Sequence, residues 1–163
     1  LYNIPGRTGV NMLPVTIAKL ANEHKNIAAV KQSNSDLDLI SDIKSLCPDD
    51  FAIYSGDDSL TIPMMSLGAH GVISVASHLV GNDMKKMINA FKSGKVQEAL
   101  DIHIKLYPLF RKLFMAPNPV PVKAALKYAG IIEEFVRTPL VVLDDEEKHQ
   151  LFSVLDKYSF TVK

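Results

Sequence analysis

Short apolar runs alternate with longer segments of helical spacing over the first 94 residues of the chain. Three runs are apolar at successive positions and predict strands at residues 27–30, 51–54 and 71–75, and residues 1–3 resemble the end of a fourth. Such runs are typical of parallel strands that are covered on both faces. They end roughly 20 to 24 residues apart, which fits consecutive right-handed βα units.

Apolar residues recur at helical spacing between these runs and after them. Helices are predicted at residues 14–24, 36–46, 59–67, 82–92, 96–115, 120–128 and 144–158. The proline-rich segment 116–121 is predicted to be a loop. The pattern therefore divides into an α/β part, residues 1–94, and a C-terminal helical domain, residues 95–163.

The length of the α/β part limits the architecture. A closed (β/α)8 TIM barrel takes about 250 residues, whereas this chain has 163 residues and three or four predicted strands. The chain therefore looks like the second part of a larger fold. The first methionine is Met12, so we expect a fragment or a processed product.

Composition narrows the class of protein. Eighteen basic and 18 acidic residues give a formal net charge of +0, so nucleic acid and anionic membranes are not expected partners. With 47% hydrophobic and 22% charged residues, the chain is globular in composition. One cysteine excludes an internal disulfide, and no run approaches the ~18 apolar residues of a membrane span. We expect a soluble, cytoplasmic protein.

A lysine follows directly on the apolar run 27–30. Lys31 is therefore expected at the carboxyl end of a buried strand, where α/β folds build their active sites. Apolar surroundings weaken the solvation of the ammonium form and favour the free amine, which can attack a carbonyl carbon. The more common alternative is a solvated lysine that closes a strand.

Tyr2 and Arg7 lie on either side of a Pro-Gly turn, where a βα loop is expected to open. A phenol can relay a proton, and a guanidinium can hold a carboxylate through two parallel hydrogen bonds. The alternative is a solvated loop arginine beside a half-buried tyrosine.

A third polar group follows the run 51–54. Gly56 could admit the close approach of a ligand, and Asp57 could accept a hydrogen bond from a substrate amine or hydroxyl. The alternative is helix N-capping by Asp57 or Asp58. Neither these carboxylates nor the five histidines have the spacing of a metal-ligand set, so no metal is expected.

Several segments in fixed order resemble one family. They are residues 2–9 (YNIPGRTG), Val30-Lys31, residues 55–58 (SGDD), 71–75 (GVISV) and 118–123 (NPVPVK). The sequence resembles the dihydrodipicolinate synthase family, within the pyruvate-dependent class I aldolases that include N-acetylneuraminate lyase. The similarity covers the whole chain, but only about the second half of a family subunit. The resemblance therefore implies the C-terminal portion of a (β/α)8 TIM barrel, with its last βα units, followed by the C-terminal helical domain.

The resemblance implies an aldol-type lyase of lysine and diaminopimelate biosynthesis, which condenses pyruvate with L-aspartate 4-semialdehyde. Lys31 matches the lysine that forms the Schiff base with pyruvate, Tyr2 the tyrosine that relays protons, and Arg7 the arginine that holds a substrate carboxylate. The imine nitrogen is itself an electron sink, so no cofactor is implied. The resemblance also implies a homo-oligomer, a dimer or tetramer.

Four further positions match the substrate-binding region of the family. Gly56 and Asp57 fall where the family approaches its second substrate. Ile73 matches a position whose backbone carbonyl faces the lysine, and Asn118 is a candidate near the same mouth.

Gln32 departs from the family's more frequent glutamate and removes a carboxylate beside Lys31.

Two other readings of the chain remain open. Half of the barrel wall and part of the family's proton relay precede this segment, so the chain could be an inactive fragment or an assembly module. Its open sheet edge could then pair with a missing N-terminal segment or with a second copy. It could also be another pyruvate-dependent aldolase, such as a 2-keto-3-deoxy sugar acid lyase.

Overall fold

The computed structural model describes residues 1–158 of the chain. It divides into two compact units, the first spanning Leu1–Ser74 and the second beginning at Val75. The domain boundary after residue 94 stays a prediction, and residues 159–163 of the predicted helical domain lie outside the described residues.

A parallel sheet forms the centre of the first unit. Within the described residues it contains β1 (Tyr2–Asn3), β2 (Ala29–Gln32), β3 (Ala52–Ser55) and β4 (Gly71–Val72). The strands are hydrogen-bonded in chain order, β1-β2-β3-β4, and each neighbouring pair is parallel. Strand and helix alternate along the unit, so the predicted α/β class with a parallel sheet is confirmed.

Short helices connect these strands. They are α1 (Pro5–Thr8), α2 (Pro14–Glu23), α3 (Asp38–Leu46) and, after a 3-10 turn at Asp58–Leu60, α4 (Thr61–Ser66). Pro14 begins α2, because the first helical turn does not need the N–H that proline lacks. Apolar residues from α2, α3, α4 and the strands form the core, which contains Ile17, Ala21, Val30, Ile40, Ile43, Phe51, Ile53, Met64 and Ala69.

All three predicted strands differ from the sequence prediction in their limits, and the strand predicted at residues 51–54 forms at Ala52–Ser55. The predicted strand at residues 27–30 forms instead at Ala29–Gln32, so Lys31 lies within β2 rather than after it. Parallel pairing sets these limits: the Lys31 N–H donates to the carbonyl of Leu1 and the Ser33 N–H to that of Asn3. Backbone pairing does not depend on apolar side chains, so the polar residues continue the ladder. The run 71–75 contributes only Gly71–Val72.

The two faces of the sheet are buried to different extents within the described residues. Val30 and Gln32 of β2 are fully buried, whereas Ala29 and Lys31 are half-buried. The same alternation occurs in β3. One face therefore packs on the core, and the face that carries Lys31 is partly open.

The second unit is helical throughout its described regular elements, which are α5 (Ser77–Lys92), α6 (Val96–Lys112), α7 (Val120–Tyr128) and α8 (Asp145–Leu155). Helix α5 begins before the predicted residue 82, since a first turn precedes a kink at Val80. Asp144 and Glu147 form a capping box at the start of α8. No helix among residues 1–158 has the length and apolarity that a membrane crossing requires.

Candidate active site

Lys31 lies in a row of three in-register residues on the partly open face of the sheet. Tyr2 of β1 pairs with Lys31 of β2, which pairs with Tyr54 of β3. In-register residues of parallel strands point to the same face. Lys31 Nζ lies 4.3 Å from the ring centroid of Tyr2, within the range of a cation–π contact. The fold therefore brings Lys31 and Tyr2 together, and the face of the Tyr2 ring is turned toward the Lys31 amine.

The next row of side chains is polar and points the opposite way. Asn3, Gln32 and Ser55 are all buried. The Asn3 amide donates to Asn11 Oδ1 at 2.8 Å and accepts from the Met12 N–H at 3.0 Å, so it anchors the loop that follows Tyr2. Gln32 lies on the face away from Lys31, so its substitution for a carboxylate does not act directly beside the amine.

Gly56 is required by close packing at the end of β3. Its N–H donates to the carbonyl of Gln32 at 2.8 Å. A β-carbon on Gly56 would stand 1.8 Å from Ser33 Oγ and 3.1 Å from Lys31 Cε. The absence of a side chain at this position therefore makes room for the residues beside the amine. The close approach of a substrate to Gly56 stays a prediction.

Asp57 is held beside Lys31 by the turn that follows β3. The Ser55 hydroxyl donates to the Asp57 carbonyl at 2.7 Å and accepts from the Asp57 N–H at 3.2 Å. Burial and the neighbouring carboxylate of Asp58 raise the pKa of Asp57, and the positive charge of Lys31 partly offsets the rise. Its side chain makes no capping hydrogen bond to the following 3-10 turn, so capping does not account for this carboxylate.

The other candidate residues lie in three different surroundings. Arg7 is exposed in the short helix α1 and forms no ion pair with any described residue. Ile73 follows β4, and its N–H donates to the Ser55 carbonyl at 2.9 Å. Asn118 belongs to the second unit and precedes α7. The roles assigned to these three residues stay predictions.

Ser33 and Tyr54 also belong to the Lys31 surroundings, although their residue types alone indicate no role. Both could have been found from the two-residue period of strands, since Ser33 is two positions after Lys31 and Tyr54 is two positions before Gly56. Residues 1–158 contain no group of three or more His, Cys, Asp and Glu side chains that could hold a metal ion.

Comparison with known proteins gives consistent matches over almost the whole chain. The profile of the dihydrodipicolinate synthetase family matches residues 1–158. The chain is 50% identical over 159 residues to the 4-hydroxy-tetrahydrodipicolinate synthase of Nostoc punctiforme, covering 98% of this chain and 54% of that protein. It is 53% identical over 155 residues to the Cyanothece enzyme of the same name, covering 95% and 52%.

Solved structures agree with these sequence matches. The dihydrodipicolinate synthase of Aquifex aeolicus superposes with a TM-score of 0.95 at 44% identity, covering 99% of this chain and 55% of that one. The enzyme from Cyanidioschyzon merolae, solved with lysine bound, gives 0.94 at 43% identity, with 96% and 53% covered. The chain spans about half the length of the relatives that it matches. Matches of this extent and identity show that the chain belongs to the dihydrodipicolinate synthetase family.

Proposed function

We propose that this chain is the C-terminal portion of a lysine-dependent aldolase, namely the last βα units of a TIM barrel followed by a helical domain. Its substrates would be pyruvate and L-aspartate 4-semialdehyde, and its reaction a step of lysine and diaminopimelate biosynthesis in the cytoplasm. The observation that carries the proposal is the half-buried Lys31 on the open face of the sheet, with Nζ 4.3 Å from the Tyr2 ring and Asp57 nearby.

Lys31 would act as the nucleophile. The free amine adds to the ketone carbon of pyruvate, and the carbonyl oxygen takes up protons and leaves as water, which yields a protonated imine (an iminium). Loss of a methyl proton moves its electron pair into a carbon–carbon double bond, and the iminium nitrogen becomes the neutral nitrogen of an enamine. The enamine carbon then attacks the aldehyde carbon, whose oxygen takes up a proton, and the iminium forms again. Water adds to the iminium carbon and the carbon–nitrogen bond breaks, which releases the product ketone and returns the free amine of Lys31. Nitrogen holds the electron pair between these steps, which is the advantage of covalent catalysis by an amine.

Three neighbouring residues would assist these steps. The Tyr2 hydroxyl would carry protons to and from the intermediate. Arg7, exposed and without an ionic partner among the described residues, would hold a substrate carboxylate through two parallel hydrogen bonds. Asp57 would accept a hydrogen bond from the second substrate, beside Gly56 and Ile73 of the same unit. Asn118 is proposed as a substrate-binding residue only from the family resemblance.

The complete activity would need the part of the family subunit that this chain does not cover. About half of each relative lies outside the matched region. Strands β1 and β4 each have one strand neighbour within residues 1–158, so each has an edge at which a barrel wall could continue. We propose that the missing segment pairs at these edges, and that the complete subunits associate as a homo-oligomer.

A turnover assay tests this proposal. The 163-residue chain is compared with the same chain preceded by the part of the Nostoc punctiforme relative that it does not cover. Each is given pyruvate and L-aspartate 4-semialdehyde. The completed protein should turn over and lose that activity in Lys31→Ala, whereas Lys25→Ala, which removes an exposed lysine, should remain active. Equal activity of the two variants would contradict the proposal.

An inactive assembly module is the second candidate. It is favoured by apolar side chains around the loop that follows β1, since Val10, Leu13 and Val15 are 70%, 56% and 62% exposed. Apolar surface of this extent is typical of a covered interface. If the 163-residue chain is inactive and forms larger species in solution, while the completed protein is active, the chain by itself is a module of this kind.

A further inference from the structure

The hydroxyl of Ser33 is buried without a hydrogen-bond partner among the described residues. Buried hydroxyl groups normally have partners, because an unpaired one loses its bonds to water without replacement. The residue is nevertheless held firmly, since its N–H donates to the Asn3 carbonyl at 2.8 Å. Ser33 Oγ therefore keeps unused capacity to accept and donate at a fixed position.

This hydroxyl lies close to the side chain of Lys31. Ser33 follows Lys31 by two residues along an extended backbone, so both side chains point to the same face. Both also pack against Gly56, where the position of a β-carbon is 1.8 Å from Ser33 Oγ and 3.1 Å from Lys31 Cε. The amine is the next atom beyond Cε. A rotation about the last carbon–carbon bond of Lys31 moves Nζ from the Tyr2 ring while Cε stays in place.

We propose that Ser33 is a positioning residue for Lys31, whose Nζ–H donates to Ser33 Oγ once the amine has condensed with a keto acid. The inference rests on the proposed function, because it concerns the same imine. A protonated imine keeps one N–H, and a hydroxyl oxygen can accept it. Hydrogen bonds from charged donors are stronger than neutral ones. This bond gives the imine a single orientation on the sheet and stabilises its positive charge.

Reductive trapping of the completed protein, the 163-residue chain preceded by the missing part of the Nostoc punctiforme relative, tests the inference. Pyruvate and borohydride are added to the wild type, to Ser33→Ala and to Ser35→Ala, which removes an exposed hydroxyl two residues further on. The mass of the Lys31-containing peptide is followed with time. In Ser33→Ala we expect the trapping rate constant at low pyruvate, which reports how readily the imine forms, to fall about tenfold, the loss expected for a hydrogen bond to a charged group. The final labelled fraction should not change, and Ser35→Ala should match the wild type.

Thermal unfolding separates positioning from a structural role. Removal of an unpaired hydroxyl should leave the Tm of Ser33→Ala equal to that of the wild type or raise it. A lower Tm or a smaller labelled fraction, with an unchanged rate constant, would overturn the inference. An equal rate constant at full labelling would also overturn it while leaving the proposed function intact. A completed wild-type protein that gives no Lys31 adduct would overturn the proposed function and this inference together.

Discussion

Ser33 Oγ occupies the space that a side chain on Gly56 would need, 1.8 Å from the position of the missing β-carbon. This contact joins the end of β3 to the residues that follow Lys31. The glycine of the SGDD segment is thus explained by packing inside the protein, independently of any ligand.

Gly56→Ala should destabilise the protein. The added methyl group meets Ser33 Oγ, and also Ser33 Cβ at 3.0 Å and Lys31 Cε at 3.1 Å, so we expect a loss of about 1–3 kcal/mol in the free energy of unfolding. Urea denaturation measures it. Gly6→Ala is the matched control, because its β-carbon would have nothing within 4 Å. A change at Gly56 no larger than that at Gly6 would contradict this packing.

The same contact predicts coupling between two substitutions. Ser33→Ala removes the closest clashing atom but leaves the Ser33 β-carbon in place. The double variant Ser33→Ala/Gly56→Ala should therefore be more stable than the sum of the single changes predicts, by about 0.5–3 kcal/mol. A double-mutant cycle on the unfolding free energy gives this value, and strict additivity would show that the two side chains do not meet.

Two substitutions of Tyr2 separate the ring from the hydroxyl. Tyr2→Phe keeps the ring that faces Lys31 Nζ and removes the group that would carry protons. In the completed protein it should lower kcat by about 10²-fold or more, while Lys31 still reacts with pyruvate. Tyr2→Leu should slow that reaction as well. If Tyr2→Phe has the kcat of the wild type, the hydroxyl is not the proton carrier.

Asp57 makes stability depend on pH. Because its pKa is raised in the folded protein above the ordinary value of 3.8, the folded state retains a proton that the unfolded state loses. Stability should therefore fall as pH rises from about 4 through the raised pKa. Asp57→Asn lacks this ionisation. Its Tm should match that of the wild type near pH 3 and exceed it at neutral pH. Calorimetry measures both Tm values across this range. A difference in Tm that does not change with pH would contradict this expectation.

Much of the first unit could be predicted from the hydrophobic pattern. The spacing of apolar residues along a helix or strand indicates which side chains face the core. The existence and order of the strands, and the helix after Pro14, follow from that pattern. The limits of β2 do not, since the pairing of Lys31 with Leu1 and of Ser33 with Asn3 is a property of the backbone.

The site was predictable in its parts but not in its contacts. Residue type and position make Lys31 and Tyr2 candidates, and the family resemblance implies their roles. Parallel register brings the two residues together. The packing of Ser33 against Gly56 depends on side-chain direction at the ends of two strands, which residue type does not reveal. Lys31 and Gln32 point to opposite faces of the sheet, and this can be recognised only when the limits of β2 are known.

The amine of Lys31 is expected to form an imine with a keto acid. Peptide mapping of the completed protein after borohydride reduction in the presence of pyruvate tests this directly, with a sample lacking pyruvate and the Lys31→Ala variant as controls. The Lys31-containing peptide alone should gain the mass of one reduced pyruvate, and both controls should remain unlabelled. An unmodified Lys31 peptide, or equal labelling spread over exposed lysines, would contradict it.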